Sequence, residues 1–252
     1  MVKPKKKKIG KWILLALAAV LVACAGFVAS SLLTVRPAVE TMAVYREAFA
    51  DTVITEETDG AVEIMPTAED RKVGIIFYVG AQIGPDAYTP LLAELARAGY
   101  ACFIPKLNCN MASLEPGAAE TIITEHSEIK TWYIAGHSMG GLTASGFAAD
   151  HLDEVDGLIL IAAYTNRDLT ETTLSVLSIY GDADGVLNRE LYEKRLAWYP
   201  ESFEEHIIAG ANHAQYGDYG VQPRDKEALI SAEEQRAQTV DIVLDWLGRQ
   251  KP

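Results

Sequence analysis

Residues Gly136-His137-Ser138-Met139-Gly140-Gly141 have the form G-x-S-x-G with one further glycine. An apolar, β-branched and aromatic run, Thr131 to Ala135, leads into them, and a run of small, helix-compatible residues, Leu142 to Ala149, leads out. In that strand–turn–helix setting the pattern presents a serine as a nucleophile. The hydroxyl must stand at the tip of a sharp, strained turn, and side chains two residues away on either side would collide there, hence glycine at both places. The turn leaves the N–H of Met139 at a helix N-terminus, where it can stabilise developing negative charge. A serine hydroxyl is a weak nucleophile near neutral pH and needs a base; imidazole suits because it titrates there. The imidazole in turn needs a carboxylate to hold its tautomer. Two stretches supply these types: Gly181-Asp182-Ala183-Asp184-Gly185 and Gly210-Ala211-Asn212-His213. Residue types alone leave Asp182 and Asp184 both open as the acid.

The elements that must position these groups follow from hydrophobic patterning. Val73 to Val79 is a continuous apolar run of the kind found in a strand buried on both faces. A helix follows it, with Asp86 as its cap, Tyr88, Leu91, Leu92 and Leu95 on one face and Gly99 at its end. Ala101 to Pro105 reads as a strand, Ala118 to His126 as a helix, Val155 to Ala162 and Leu174 to Tyr180 as strands. Asn188 to Trp198 reads as a helix and Phe203 to Ile208 as a strand. Ser231 opens a last helix with Glu234 three residues on, a capping-box pattern, and its face is Val240, Val243, Leu244 and Leu247. Thr52 to Thr55 and Ala61 to Met65 are short β runs around Asp59-Gly60, a hairpin signal. Strand and helix alternate from residue 73 on, which predicts an α/β fold: a mostly parallel sheet with helices on both faces and the hairpin at one edge. Reactive groups gather beyond the carboxyl ends of such strands, which is where Ser138, the two aspartates and His213 fall.

The amino end is of a different kind. Lys3, Lys5, Lys6, Lys7, Lys8 and Lys11 precede a run from Trp12 to Val35 without a charged residue. At about 1.5 Å per residue that run makes a helix about 36 Å long, enough for a hydrocarbon core of about 30 Å. The basic flank stays in the cytoplasm and the carboxyl side crosses. The expected division is a basic flank 1–11, a transmembrane anchor 12–35, a linker helix within 36–51 and a catalytic domain 52–252. Two processed forms compete with the anchor: a cleaved signal sequence, and a lipoprotein in which Leu21-Val22-Ala23-Cys24 is the lipobox. Against both, the chain stays apolar for eleven residues beyond Cys24. All three put the domain on the extracytoplasmic side of the cell membrane. The whole chain has 35 acids against 22 bases, a net charge of −13, which argues against a nucleic-acid partner. Cys24, Cys102 and Cys109 lack the spacing of a zinc site. In an oxidising exterior Cys102 and Cys109 could form a bridge, with two free thiols as the alternative.

The order Ser138, Asp, His213 is that of the α/β hydrolases, and from about residue 52 on the chain resembles that superfamily. More narrowly it resembles the bacterial, often membrane-anchored branch with a compact single domain, the "α/β hydrolase fold-5" group. The residues that carry this are Tyr78-Val79-Gly80-Ala81, Gly136 to Gly141, Ile179 to Gly185, and Asn212-His213-Ala214-Gln215-Tyr216-Gly217-Asp218-Tyr219-Gly220. The resemblance implies Asp184 as the acid and His213 as the base of Ser138. It implies an oxyanion hole made by the amides of Met139 and of Ala81, with Gln82 as the alternative to Ala81. VGAQ stands where lipases often carry an HGGG-type run, which speaks against a lipase.

Only Tyr164 to Thr173 is available for a lid, too little for a lid domain, so the site is expected to be open and shallow. Tyr164, Tyr216 and Tyr219 are candidates for its lining, against packing at the sheet edge, while Asp218 and Gln222 shape the loop that holds His213. His126, His137, His151 and His206 read as bystanders. The expected function is a membrane-anchored serine hydrolase, a carboxylic-ester hydrolase for small or exposed acyl groups that needs no metal or organic cofactor. Thioester or lactone cleavage and acyl transfer use the same machinery. A catalytically silent surface-binding protein on this fold is the rival from another class. The sequence carries no signal for oligomeric state.

Overall fold

The computed structural model describes residues 8–32, 44–45, 47–67 and 72–250. The basic flank up to residue 7, the end of the apolar run (33–35) and most of the expected linker helix (36–43 and 46) lie outside the described residues. The apolar run forms helix α1, Lys8–Leu32. Within it Trp12–Ala29 is long and apolar enough to cross a membrane, and its side chains are exposed.

The region after residue 52 is built on eight strands: β1 Val53–Glu57, β2 Ala61–Pro66, β3 Val73–Tyr78, β4 Ala101–Pro105, β5 Thr131–His137, β6 Gly157–Ile161, β7 Ser175–Gly181 and β8 Phe203–Ile208. They form one sheet in the order β1-β2-β4-β3-β5-β6-β7-β8. β1 and β2 pair antiparallel at one edge, and β3 to β8 run parallel. The helices are α2 Thr89–Arg97, α3 Ala118–Glu125, α4 Met139–Asp150, α5 Arg189–Arg195 and α6 Ala232–Arg249.

Alternate side chains of the central strands meet opposite helical layers. On β3, Tyr78 packs toward Phe147 of α4, whereas Phe77 packs against Tyr88 just before α2. On β5, Tyr133 meets Trp246 of α6 at 5.6 Å between ring centroids, and its neighbour Trp132 meets Phe103. Residues 75–79 are all buried, which is why β3 reads as a continuous apolar run rather than an alternating one.

The order in which strands are added reverses at β3, which has β4 on one side and β5 on the other. This is the switch point at which doubly wound sheets open a crevice. Register completes the placement. Tyr78 of β3 pairs with Gly136 of β5, so the loop after β3 lies beside the turn after β5. Gly181 of β7 pairs with Ile208 of β8, so the loops after those strands also run together.

Two helix starts differ in detail from expectation. Asp86 does not cap a helix: Pro85–Tyr88 is a single 3-10 turn, and α2 begins only at Thr89 without a side-chain cap bond. Pro90 has no N–H to continue the ladder from that turn, so a new helix has to start there. The helix expected over residues 188–198 is divided into α5 and a 3-10 turn, Leu196–Trp198. Its cap is as expected, with Asn188 Oδ1 accepting from Leu191 N at 3.0 Å. Ser231 Oγ likewise accepts from Glu234 N at 3.1 Å. The buried face of α6 adds Trp246 to the expected Val240, Val243 and Leu247; Leu244 is half-buried. Between β6 and β7 there is neither helix nor strand, hence no lid domain.

Candidate active site

Ser138 joins β5 to α4 at φ 54° and ψ −121°, a positive-φ conformation that costs free energy for any residue with a Cβ. The backbone around it holds the strain: Ser138 N donates to Ile161 O at 2.9 Å, and Ser138 O accepts from Gly141 N at 3.0 Å. The turn works only because its flanks lack side chains. A Cβ on Gly136 would lie 2.5 Å from the Gly140 backbone, and one on Gly140 would lie 2.1 Å from the carbonyl oxygen of Tyr78. Ser138 itself is half-buried.

The loops after β7 and β8 bring Asp184 and His213 together. His213 Nδ1 donates to Asp184 Oδ2 at 2.8 Å, and both side chains are almost wholly buried. The other carboxylate oxygen, Oδ1, accepts from Val186 N at 2.7 Å and Leu187 N at 2.8 Å. A carboxylate so bonded is an acceptor only, so Nδ1 carries the imidazole hydrogen and Nε2 presents its lone pair. Nε2 is buried and has no hydrogen-bond partner among the described residues. The hydrogen bond to Ser138 is therefore not made in this state; such bonds are often loose without substrate. Asp182, the competing carboxylate, turns elsewhere: its Oδ1 accepts from Gly210 N at 2.7 Å and ties together the loops after β7 and β8.

On the β3 side, Gln82 adopts φ 61° and its N–H is committed to Asn110 O at 2.8 Å. The N–H groups of Ala81 and Met139 have no acceptor among the described residues.

Other residues hold these loops in place. Asp225 carries no motif and belongs to no helix or strand. Its Oδ1 accepts from Gly185 N at 3.0 Å and His213 N at 3.2 Å, and its Oδ2 from Ala214 N at 2.8 Å. One carboxylate thus ties the Asp184 loop to the His213 loop. Gln235 of α6 clamps the residue before His213 from behind, accepting from Asn212 N at 3.0 Å and donating to Asn212 O at 2.8 Å. A glutamine among the polar residues of an amphipathic helix gives no warning of this role.

Of the two readings of the tyrosines, lining or packing, the structure shows packing. Tyr216 is fully buried with its ring 5.8 Å from that of His137, and Tyr219 lies 6.3 Å from the same ring. Tyr219 donates to Gln222 Oε1 at 2.9 Å, and Asp218 N donates to Ala87 O at 2.7 Å, so both of those residues shape the loop. Tyr164 packs with Tyr180, Leu187 and Tyr192.

His137 is fully buried. Burial, and then the nearby His213, hold its pKa well below the ordinary value, so the ring is neutral. The remaining histidines face carboxylates outside the site: His126 lies 3.3 Å from Glu128, His151 3.3 Å from Glu120 and His206 3.9 Å from Glu204. Cys102 and Cys109 are free thiols, the first buried within β4.

A sheet of this order, with a serine on a strained strand-to-helix turn and an Asp–His pair beyond the next strands, defines an α/β hydrolase. The model of the alpha/beta hydrolase family matches residues 74–237, and the chain belongs to that family. Among solved structures it is similar to a predicted CIB-like hydrolase from Thermoplasma acidophilum, with a TM-score of 0.57 and 16% identity over 77% of this chain and 99% of that one. It is also similar to Est1E from Butyrivibrio proteoclasticus, with a TM-score of 0.55 and 15% identity over 79% of this chain and 100% of that one. A third is MGS-MChE2, an alpha/beta hydrolase enzyme from a metagenome of lagoon sediments at Mar Chica, Morocco, with a TM-score of 0.57 and 12% identity over 77% and 98%. At these identities the likeness is one of fold. No curated protein matches the chain in sequence.

Proposed function

We propose that this chain is a serine hydrolase that cleaves carboxylic esters with small or exposed acyl groups. We further propose that α1 anchors it in the cell membrane with the catalytic domain, residues 52–252, on the extracytoplasmic side. The observation that carries the reading is the buried 2.8 Å Asp184–His213 bond, which leaves His213 Nε2 without a partner among the described residues while its ring lies 4.6 Å from that of His137, the residue before the strained Ser138. In the reaction Ser138 Oγ attacks the acyl carbon while its proton passes to Nε2. The amides of Met139 and Ala81 hold the oxyanion; the Gln82 amide, already bonded to Asn110, is the poorer choice. The ester C–O bond then breaks, and the proton on Nε2 goes to the departing alkoxide. Water, giving a proton to His213, hydrolyses the acyl-enzyme and restores Ser138. Asp184 holds the Nδ1–H tautomer and stabilises the imidazolium. The short, irregular β6–β7 connection supports an open site suited to small or exposed acyl groups.

The test is labelling of the full chain in detergent with a fluorophosphonate probe. Labelling should be lost in Ser138→Ala and His213→Ala. Asp184→Asn should slow it by up to about 10⁴-fold, the scale found when a triad loses its tautomer-holding carboxylate, whereas Asp182→Asn should label at close to the wild-type rate. A folded wild type that does not label refutes the hydrolase reading and favours a silent binding protein on the same fold.

A further inference from the structure

One buried polar chain connects the three loops of the site and has no part in the reaction as written. Gly80 N donates to Tyr88 Oη at 3.1 Å. Tyr88 Oη meets His137 Nδ1 at 2.8 Å, and His137 Nε2 meets the carbonyl oxygen of His213 at 3.0 Å. The direction of every bond is determined by the two ends. A backbone N–H can only donate, so Tyr88 accepts from Gly80 and its own hydrogen is left for Nδ1. A carbonyl can only accept, so the imidazole hydrogen is on Nε2. Tyr88 is held by packing against Phe77 at 4.8 Å and Tyr219 at 6.5 Å between ring centroids. The approach is close enough that a Cβ on Gly80 would lie 2.9 Å from Tyr88 Oη and 3.1 Å from His137 Nδ1.

We propose that Tyr88 and His137 are positioning residues: a two-side-chain brace that sets the oxyanion loop and the His213 loop at a fixed distance from Ser138. The proposal rests on the serine-hydrolase reading above. Its physical basis is where the ends of the brace fall. One end grips Gly80, the residue before the Ala81 amide. The middle is His137, the residue before Ser138. The other end grips the backbone of His213 itself. The bonds span 49 and 76 residues of chain, so no local turn geometry does this work. All members are buried, where an unmet donor or acceptor is costly and a satisfied chain is correspondingly rigid.

The experiment uses the full chain in detergent with a chromogenic short-chain ester, and compares wild type with Tyr88→Phe, His137→Gln, His137→Leu and the double variant Tyr88→Phe/His137→Leu. Tyr88→Phe should lower kcat by about 10- to 100-fold with KM changed by less than about threefold, the scale of a misplaced catalytic group. His137→Gln keeps one acceptor and one donor and should retain more activity than His137→Leu. The double variant should be about as slow as the slower single one, because either change breaks the same chain. Tyr192→Phe removes another buried tyrosine hydrogen bond, to Ser178, and should lower Tm while leaving kcat within about twofold. In the wild type, ¹⁵N-histidine spectra should show His137 neutral with the hydrogen on Nε2, a readout that needs no variant to fold. A wild type that is active while Tyr88→Phe keeps its kcat, strictly additive losses, or an Nδ1–H tautomer at His137 each overturns the brace alone. A folded wild type that neither labels nor turns over overturns the hydrolase reading and the brace with it.

Discussion

Asp225 offers a quantitative test of how the site is held, because its carboxylate bonds to both loops that bring Asp184 and His213 together. Replacing it by alanine removes three hydrogen bonds that cross between loops. Bonds to a charged acceptor contribute about 1.5–3 kcal/mol each. Asp225 is only half-buried, so the lower figure applies to each of the three bonds, and the loss in Asp225→Ala is about 4.5 kcal/mol. At about 2–4 °C per kcal/mol for a domain of this size, Tm should fall by about 9–18 °C. Asp225→Asn keeps the oxygen that serves Gly185 and His213 but turns an NH₂ toward Ala214 N–H. It should lose one bond, about 1.5 kcal/mol, and about 3–6 °C. Activity should follow the same order, with alanine slower than asparagine, because the His213 backbone is one of the groups released. The assay is thermal unfolding of the full chain at a fixed scan rate beside kcat on a short-chain ester. An alanine variant within about 2 °C of wild type and equally active would refute the argument that this carboxylate holds the two loops together.

Burial keeps the folded-state pKa of His137 well below its ordinary value of 6.5. Below that pH the unfolded chain binds a proton that the folded chain refuses. Stability is therefore unaffected by this group above about pH 7 and falls as the pH drops below 6.5, by up to about 1.4 kcal/mol per unit. Thermal unfolding between pH 7.5 and 5 should show a steeper acid-side loss for wild type than for His137→Gln; parallel curves would exclude His137 as the source. With no lid element between β6 and β7, hydrolysis of acyl esters should fall as the acyl chain lengthens beyond a few carbons. Equal kcat/KM across a series of chain lengths would refute a shallow site.

The order of elements and the nucleophilic turn were legible from the sequence because each is a local matter. Buried parallel strands write themselves as unbroken apolar runs, as in residues 73–79. The glycines beside Ser138 are required by backbone contacts within two residues of it and with the neighbouring strand. The serine, the two aspartates and the histidine could be placed at strand ends from pattern alone. The helix start expected at Asp86 lies instead at Thr89, because Pro90, four residues on, outweighs the capping preference of an aspartate.

The sequence by itself determined the class of fold, the apolar helix ahead of it, and the short set of residues able to do acyl chemistry. Residue types left Asp182 and Asp184 open and only the family resemblance pointed to Asp184; the tertiary structure shows the bond itself, since the two stand two residues apart and differ in which way the loop turns them. It also revealed Asp225, Gln235, Tyr88 and His137 as the groups that tie the loops together. Their hydrogen bonds join segments far apart in the chain, and a pattern read along one strand of sequence carries no record of which distant backbone group a side chain will meet.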